Sequence, residues 1–152
     1  NNPSQQVTTE SDLKATSEKY PFEILVAEDN FINQKLVRKL FEVLGYKTDL
    51  AANGYETIDS LKRKPYHIIF MDVQMPEMDG LEATRVIKER WKNNAPVIIA
   101  MTANAMQGDR EKCLEAGMDD YISKPLRLED IIRVINYWGD SKEILFLDIK
   151  AS

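Results

Sequence analysis

Residues 23 to 29 are Glu23-Ile24-Leu25-Val26-Ala27-Glu28-Asp29, a short unbroken apolar run that ends on two acids. Runs of this length are typical of strands that are buried on both faces of a sheet. Similar runs at 67–71 and 96–101 predict two more such strands, and weaker patterns at 46–51 and 119–123 complete a set of five.

The segments between these runs have helical spacing. Residues 31–44 place Ile32, Leu36 and Leu40 on one face and stop at Gly45, which is typical of an amphipathic helix with a glycine at its end. The same spacing, more weakly, predicts four further helices, at 53–63, 81–91, 109–116 and 126–138. Strands that alternate with helices predict an α/β fold, a doubly wound five-stranded parallel sheet with helices on both faces.

The polar ends of the chain divide it into three parts. Residues 1–20 carry almost no large apolar side chains, so we expect a flexible linker there. Residues 21–138 hold the predicted domain, and 139–152 form a tail whose apolar patch at 144–147 leaves its structure open. The chain begins with Asn rather than Met, and we therefore expect it to be a segment of a longer protein.

Composition excludes several classes of function. The net charge is −5 and the basic residues are dispersed among acids, which argues against a nucleic-acid partner. The single cysteine, Cys113, can form neither an intrachain disulfide nor a two-thiol metal site, and it favours a reducing, cytoplasmic compartment. No stretch approaches the roughly 20 apolar residues that span a bilayer.

Three acidic residues follow the predicted strands at the point where ligands bind in folds of this kind. Glu28 and Asp29 come directly after the first strand, and Asp72 ends the third. Carboxylates held this close repel one another unless a cation lies among them, and a cluster of oxygen ligands alone suits Mg²⁺. The sequence therefore predicts a magnesium site.

Thr102 and Lys124 stand at the ends of the fourth and fifth strands. A hydroxyl donor and an ammonium beside a metal site are what phosphoryl oxygens need, because phosphoryl transfer depends mainly on positioning and charge neutralisation. Viewed singly, Thr102 is more typical of a helix cap and Lys124 of a solvated charge, and Asp72 of a turn. Only their conjunction with the acidic pair favours the phosphoryl interpretation.

Four motifs together resemble the receiver domain of two-component response regulators, over roughly residues 22–138. They are Glu28-Asp29-Asn30 with Asn33-Gln34, Met71-Asp72-Val73-Gln74-Met75-Pro76-Glu77-Met78-Asp79-Gly80, Met101-Thr102-Ala103-Asn104-Ala105 and Tyr121-Ile122-Ser123-Lys124-Pro125. The resemblance implies a flavodoxin-like, doubly wound sandwich. The acidic pair departs from the Asp-Asp of many members by having Glu28 first, which lengthens one arm of the metal site and keeps its charge.

The resemblance also implies the metal ligands. Asp72 would be the phospho-acceptor and would share Mg²⁺ with Asp29, with Glu28 acting through a water or as a second acidic ligand. The backbone carbonyl of Gln74 would complete the protein ligands. The side chain of Gln74 would then be free.

The resemblance further implies a switch. Lys124 would pair with one phosphoryl oxygen and Thr102 would hydrogen-bond another, drawing the loop after the fourth strand inward. Tyr121 stands at the aromatic switch position, although an aromatic in a strand is more often packing. The change of conformation would alter the face formed by the fourth predicted helix, the fifth strand and the fifth predicted helix, and so bias it toward or away from a partner. Pro125 stands where the family usually has a cis peptide.

The residues of these motifs are most like those of receivers fused to sensor histidine kinases. We therefore expect the partner to be a histidine kinase or a histidine phosphotransfer domain, and the parent to be a cytoplasmic or membrane-anchored hybrid kinase. The segment itself would catalyse its own phosphorylation and dephosphorylation without independent kinase activity. The only histidine, His67, begins a strand and is not expected to be the phosphohistidine donor.

Two other functions stay open at this stage. A phosphotransferase of the haloacid-dehalogenase type also uses a strand-end Asp with Mg²⁺, but it requires an acid two residues later, where Gln74 stands. The second is a degenerate receiver that only binds a partner or a flavin-like ligand. The intact set of charged residues argues against this function. No phosphate-binding loop follows the first strand.

Overall fold

A computed structural model describes residues 9–103 and 107–141. Five strands lie in these ranges, and they are β1 (Ile24–Ala27), β2 (Thr48–Ala51), β3 (Ile68–Asp72), β4 (Val97–Thr102) and β5 (Asp120–Ser123). The helices are α1 (Glu10–Lys19), α2 (Phe31–Val43), α3 (Gly54–Arg63), α4 (Gly80–Trp91), α5 (Gln107–Ala116) and α6 (Leu128–Asp140), and a 3-10 turn spans Lys92–Asn94. The predicted elements are confirmed with shifts of one to two residues at their ends.

The strands form one parallel sheet in the order β2-β1-β3-β4-β5. The chain moves outward from β1 to β2 and then returns to place β3 on the other side of β1. The strand order therefore reverses between β1 and β3, and the carboxyl ends of these two strands flank the crevice where ligands bind in doubly wound sheets.

Both faces of the sheet are covered, which explains the unbroken apolar runs. In β1 and β3, alternate residues such as Val26 and Phe70 pack under α2 and α6, while Leu25 and Ile69 pack on the opposite face under α3 and α4. All four of these side chains are fully buried. The lone cysteine, Cys113, is also buried and belongs to the second core.

Helix α1 lies where the composition predicted a flexible linker, so over residues 10–19 the structure differs from that expectation. The hydroxyl of Tyr46 donates to the Tyr20 carbonyl at 2.6 Å and lies 3.3 Å from that of Thr16. The Tyr20 ring covers Gly139 so closely that an added Cβ would lie 2.6 Å from it. A few well-placed contacts with distant residues therefore stabilise a helix whose own sequence is polar.

The domain bounds as a whole remain a prediction. Residues 1–8 and 142–152, which include most of the predicted tail and its apolar patch, lie outside the described residues. Residues 139 and 140 belong to α6, which extends two residues past the predicted end. Among the helices that the structure describes, none is both long and apolar enough to cross a bilayer.

Candidate functional site

Three carboxylates meet at the carboxyl ends of β1 and β3. Each of Glu28, Asp29 and Asp72 offers an oxygen, and these three oxygens lie within 4.8 Å of one another. Glu28 and Asp72 are buried, at 1% and 7% exposed, whereas Asp29 faces solvent. The predicted metal ligands are thus brought together, and their all-oxygen chemistry fits a hard divalent cation.

The turn after β1 is fixed by hydrogen bonds to its backbone. The Glu28 N–H donates to the Ala51 carbonyl of β2 at 2.9 Å, and the Glu28 carbonyl accepts from the side-chain amide of Gln34 at 2.6 Å. The Asn30 N–H donates to Oε2 of Glu28 at 3.1 Å. Asn30 also caps α2, since its side chain accepts from the Asn33 N–H at 2.9 Å.

The loop after Asp72 is held by a close backbone approach. Asp79 caps α4, and the Gly80 N–H donates to the Val73 carbonyl at 2.9 Å. A Cβ on Gly80 would lie 2.2 Å from the carbonyl oxygen of Asp72, so only glycine fits there. The Gln74 N–H donates to Oδ1 of Asp72 at 3.2 Å, which orients the carboxylate.

Lys124 brings a positive charge into this acidic cluster. Its Nζ lies 2.8 Å from Oδ2 of Asp72 and 3.0 Å from Oε1 of Glu28. The Lys124 N–H donates to the Thr102 carbonyl at 2.8 Å, which ties the end of β5 to that of β4. The Lys124–Pro125 peptide is cis, which is the isomer usual at this position in the family that the motifs resemble.

Burial and the mixed charges shift the proton affinities of this pair. Burial raises the pKa of Asp72 above its ordinary value, and the neighbouring charge of Glu28 adds to that, while the hydrogen bond from Lys124 opposes it. Burial alone would lower the pKa of Lys124, but its hydrogen bonds to Asp72 and Glu28 outweigh burial and leave that pKa above its ordinary value. The ammonium therefore stays charged at neutral pH.

The two predicted switch residues occupy different positions. Thr102 is buried at the end of β4 and lines the same cleft of about 430 Å³ as Asp72 and Lys124. Tyr121 lies outside that lining and is half-buried on β5. Its hydroxyl accepts from a guanidinium nitrogen of Arg110 at 3.1 Å, and that guanidinium also lies 5.3 Å from the ring centre.

Several contributors to the cleft and its support were not predicted from the sequence. Asp109 and Lys112 of α5 line the cleft, and Gln34 braces the acidic turn from α2. The spacing of Asp109 and Lys112 could have placed them on one helix face. The Gln34 contact could not be found, because the direction of its side chain depends on the packed angle between α2 and β1.

The profile of the response regulator receiver domain family matches residues 24–136. The chain belongs to this family. The receiver domain of a sensor histidine kinase from Pseudomonas aeruginosa PAO1, solved with a magnesium ion in its active-site cleft, is 42% identical. It superposes with a TM-score of 0.73, and the match covers 79% of this chain and 98% of that one.

Two further similarities bear on function. Hybrid signal transduction histidine kinase B of Dictyostelium discoideum is 45% identical to this receiver over 120 residues, which are 72% of this chain but only 6% of the kinase. The receiver domain of Ssk1 from Saccharomyces cerevisiae, solved with the histidine phosphotransfer protein Ypd1, is 34% identical with a TM-score of 0.72. That match covers 77% of this chain and 88% of the other.

Proposed function

We propose that this receiver accepts a phosphoryl group from a phosphohistidine onto Asp72 and passes the signal on by a change of conformation. The proposal rests on one observation, the surroundings of Asp72. A buried carboxylate, Asp72, lies at the open end of the sheet between an ammonium and two further acids, Glu28 and Asp29. That is the arrangement a nucleophile needs when both the attacking group and the phosphoryl group are negatively charged.

The step is a substitution at phosphorus. An oxygen of Asp72 bonds to phosphorus as the bond from phosphorus to the imidazole nitrogen breaks, and the leaving nitrogen takes up a proton. Lys124, 2.8 Å from that carboxylate, is placed to move its contact from Asp72 to a phosphoryl oxygen. The Thr102 hydroxyl, in the lining of the same cleft, is the proposed partner of another phosphoryl oxygen.

The residues present fit Mg²⁺ as the cofactor. Asp29 and Asp72 would hold it directly, with the Gln74 carbonyl as a third ligand and Glu28 acting through water. When bound, the cation offsets the charge of the phosphoryl oxygens as the new bond forms. The Glu28 carboxylate is held by Lys124 and the Asn30 N–H, which supports an indirect role for its longer side chain.

A phosphohistidine donor must bring its histidine to this cleft, and the surface beside it suits a protein partner. Phe31, Ile32 and Leu36 of α2 are exposed apolar side chains, at 68%, 73% and 51%. Pro125 and Leu126 continue the apolar lining of a groove that also contains Lys124. We infer that a histidine phosphotransfer domain, or the histidine-bearing domain of a kinase, docks there.

The parent protein is proposed to be a hybrid sensor histidine kinase acting in the cytoplasm. The likeness to receivers within much longer kinases supports this. Phosphorylation would shift Thr102 and Tyr121 and so alter the face formed by α5, β5 and α6, which corresponds to the switch face expected from the sequence. The receiver would then signal to the next carrier through that face.

The experiment follows phosphorylation by one small phosphodonor through the intact mass of the protein. Wild-type chain, Asp72→Asn and a metal-chelated sample are each incubated with phosphoramidate, whose phosphorus–nitrogen bond resembles that of phosphohistidine. We expect a single phosphoryl-sized gain in the wild type with Mg²⁺, labile to hydroxylamine, and no gain in the other two. A wild type that binds Mg²⁺ yet gains no phosphoryl group would instead support a receiver that acts only by binding.

A further inference from the structure

We propose that Gln34 is a positioning residue for the metal site, acting through the backbone of the acidic turn. This role rests on the proposed function, because it concerns how Asp29 and Glu28 are aimed at Mg²⁺. Gln34 does not itself line the cleft, and among the contacts described for residues 9–103 and 107–141 its side chain reaches the backbone of Glu28 rather than Asp72. The influence of this side chain on the metal ligands would therefore pass through Glu28.

The hydrogen bond between Gln34 and Glu28 lies where the pairing of β1 with its neighbouring strands ends. Ala27 is the last residue of β1 that pairs with its neighbours, opposite Ala51 and Met71. The next carbonyl, that of Glu28, has left the sheet, and the Gln34 amide donates to it at 2.6 Å. A side chain thus replaces the ladder partner that the strand no longer has.

This hydrogen bond fixes the orientation of one peptide plane. The carbonyl of Glu28 belongs to the peptide that joins Glu28 to Asp29, so its direction sets the direction in which the Asp29 side chain leaves the backbone. The other end of Glu28 is fixed independently, by its N–H donating to Ala51. Without Gln34 the peptide is free to rotate between these two acids.

The two acids need different orientations, which is why the peptide plane matters. Glu28 is turned inward, where Oε1 meets Lys124 at 3.0 Å and Oε2 meets the Asn30 N–H at 3.1 Å. Asp29 is exposed and lines the cleft. Rotation of the peptide would carry Asp29 away from Asp72 while Glu28 remained bound to Lys124.

Gln34 is itself anchored, so it can act as a brace. Its own N–H donates to the Asn30 carbonyl at 2.8 Å in the first turn of α2. Asn30 caps that turn. The amide side chain therefore joins a rigid helix to the acidic turn, and outer contacts of this kind orient metal ligands and influence affinity.

The test is a Mg²⁺ titration followed by ¹H–¹⁵N NMR spectra of wild type and Gln34→Met. Methionine has a similar length and cannot donate to the carbonyl. We expect the Mg²⁺ dissociation constant of Gln34→Met to rise about tenfold. We expect the spectrum away from the β1–α2 turn to be unchanged. Lys39→Met, on an exposed part of α2, is the matched control and should retain the wild-type affinity.

Each outcome separates this role from the proposed function. A wild type with no Mg²⁺-dependent shifts overturns the proposed function and the role of Gln34 together. A wild type that binds Mg²⁺ while Gln34→Met binds it equally well overturns the role of Gln34 alone, even if the variant melts at a lower temperature. Should Gln34→Met not fold, Gln34→Glu replaces it, and weakened binding despite the added negative charge is the expected result.

Discussion

The ammonium of Lys124 lies 2.8 Å from a carboxylate oxygen of Asp72, although the two residues are 52 positions apart in the chain. The same nitrogen lies 3.0 Å from Glu28. In this structure the lysine supplies the positive charge that the acidic cluster requires. Mg²⁺ must therefore bind beside an existing cation, and the two compete electrostatically.

Replacing Lys124 by methionine should have two opposite effects. Removing the ammonium leaves Glu28 and Asp72 buried without their hydrogen-bonded partner, and we expect the free energy of unfolding to fall by about 2 kcal/mol. The same change removes repulsion of Mg²⁺, so the metal should bind more tightly than in the wild type. Urea unfolding with and without Mg²⁺, together with an NMR titration, measures both; weaker Mg²⁺ binding by the variant would contradict this account.

Gly80→Ala should damage the site through the backbone. The new Cβ would overlap the Asp72 carbonyl oxygen, from which it would lie 2.2 Å. We expect a loss of about 2 kcal/mol in stability and much slower phosphorylation by phosphoramidate. Gly108→Ala is the matched control: nothing lies within 4 Å of its Cβ, and in α5 it should stabilise by up to about 1 kcal/mol. Equal effects of the two substitutions would refute the close-approach explanation.

Arg110→Met should release Tyr121. The guanidinium holds the tyrosine through its hydroxyl and ring, and an inward swing of the ring must break both contacts. In a double-mutant cycle with Tyr121→Leu, we expect a coupling of about 0.5 kcal/mol in the free energy of unfolding. If the inward position assists phosphorylation, Arg110→Met should also accelerate it by about twofold, the factor equivalent to that energy. A coupling free energy of zero would show that Arg110 does not hold Tyr121 in place.

Tyr66→Phe should destabilise the fold in a pH-dependent way. The Tyr66 hydroxyl donates to Asp49 at 2.5 Å, and this hydrogen bond, with help from Lys64, holds the pKa of Asp49 below its ordinary 3.8. A carboxyl whose pKa is lowered on folding stabilises above its unfolded pKa and loses that contribution as the pH falls through the folded value.

We therefore expect the free energy of unfolding of Tyr66→Phe to be about 1 kcal/mol lower than that of the wild type at pH 7. The difference from wild type should narrow once the pH drops below the ordinary 3.8 of Asp49. Urea unfolding at neutral pH and again at acid pH gives the comparison. A difference that stays constant, or widens, in acid would show that the lost contact is packing rather than this hydrogen bond.

The sequence was sufficient for the sheet and for most of the proposed site, because strands buried on both faces leave continuous apolar runs and the polar residues after them lie at one edge. Glu28, Asp29, Asp72, Thr102 and Lys124 were predicted in this way, and they line one cleft. Helix α1 was not found, since its stability comes from contacts between Tyr20 and residues such as Gly139 that are distant in the chain. The contact of Arg110 with Tyr121 likewise depends on how α5 packs beside β5.

Site mapping tests the central proposal most directly. An acyl phosphate on aspartate is reduced by borohydride to homoserine, so the phosphorylated residue can be read by peptide mass spectrometry after treatment with phosphoramidate and Mg²⁺. We expect homoserine at position 72 and at no other acidic position, with none formed when Mg²⁺ is chelated. Homoserine at Asp29, the corresponding five-carbon amino alcohol (2-amino-5-hydroxypentanoic acid) at Glu28, or a phosphoryl group found on a residue other than an acid, would contradict it.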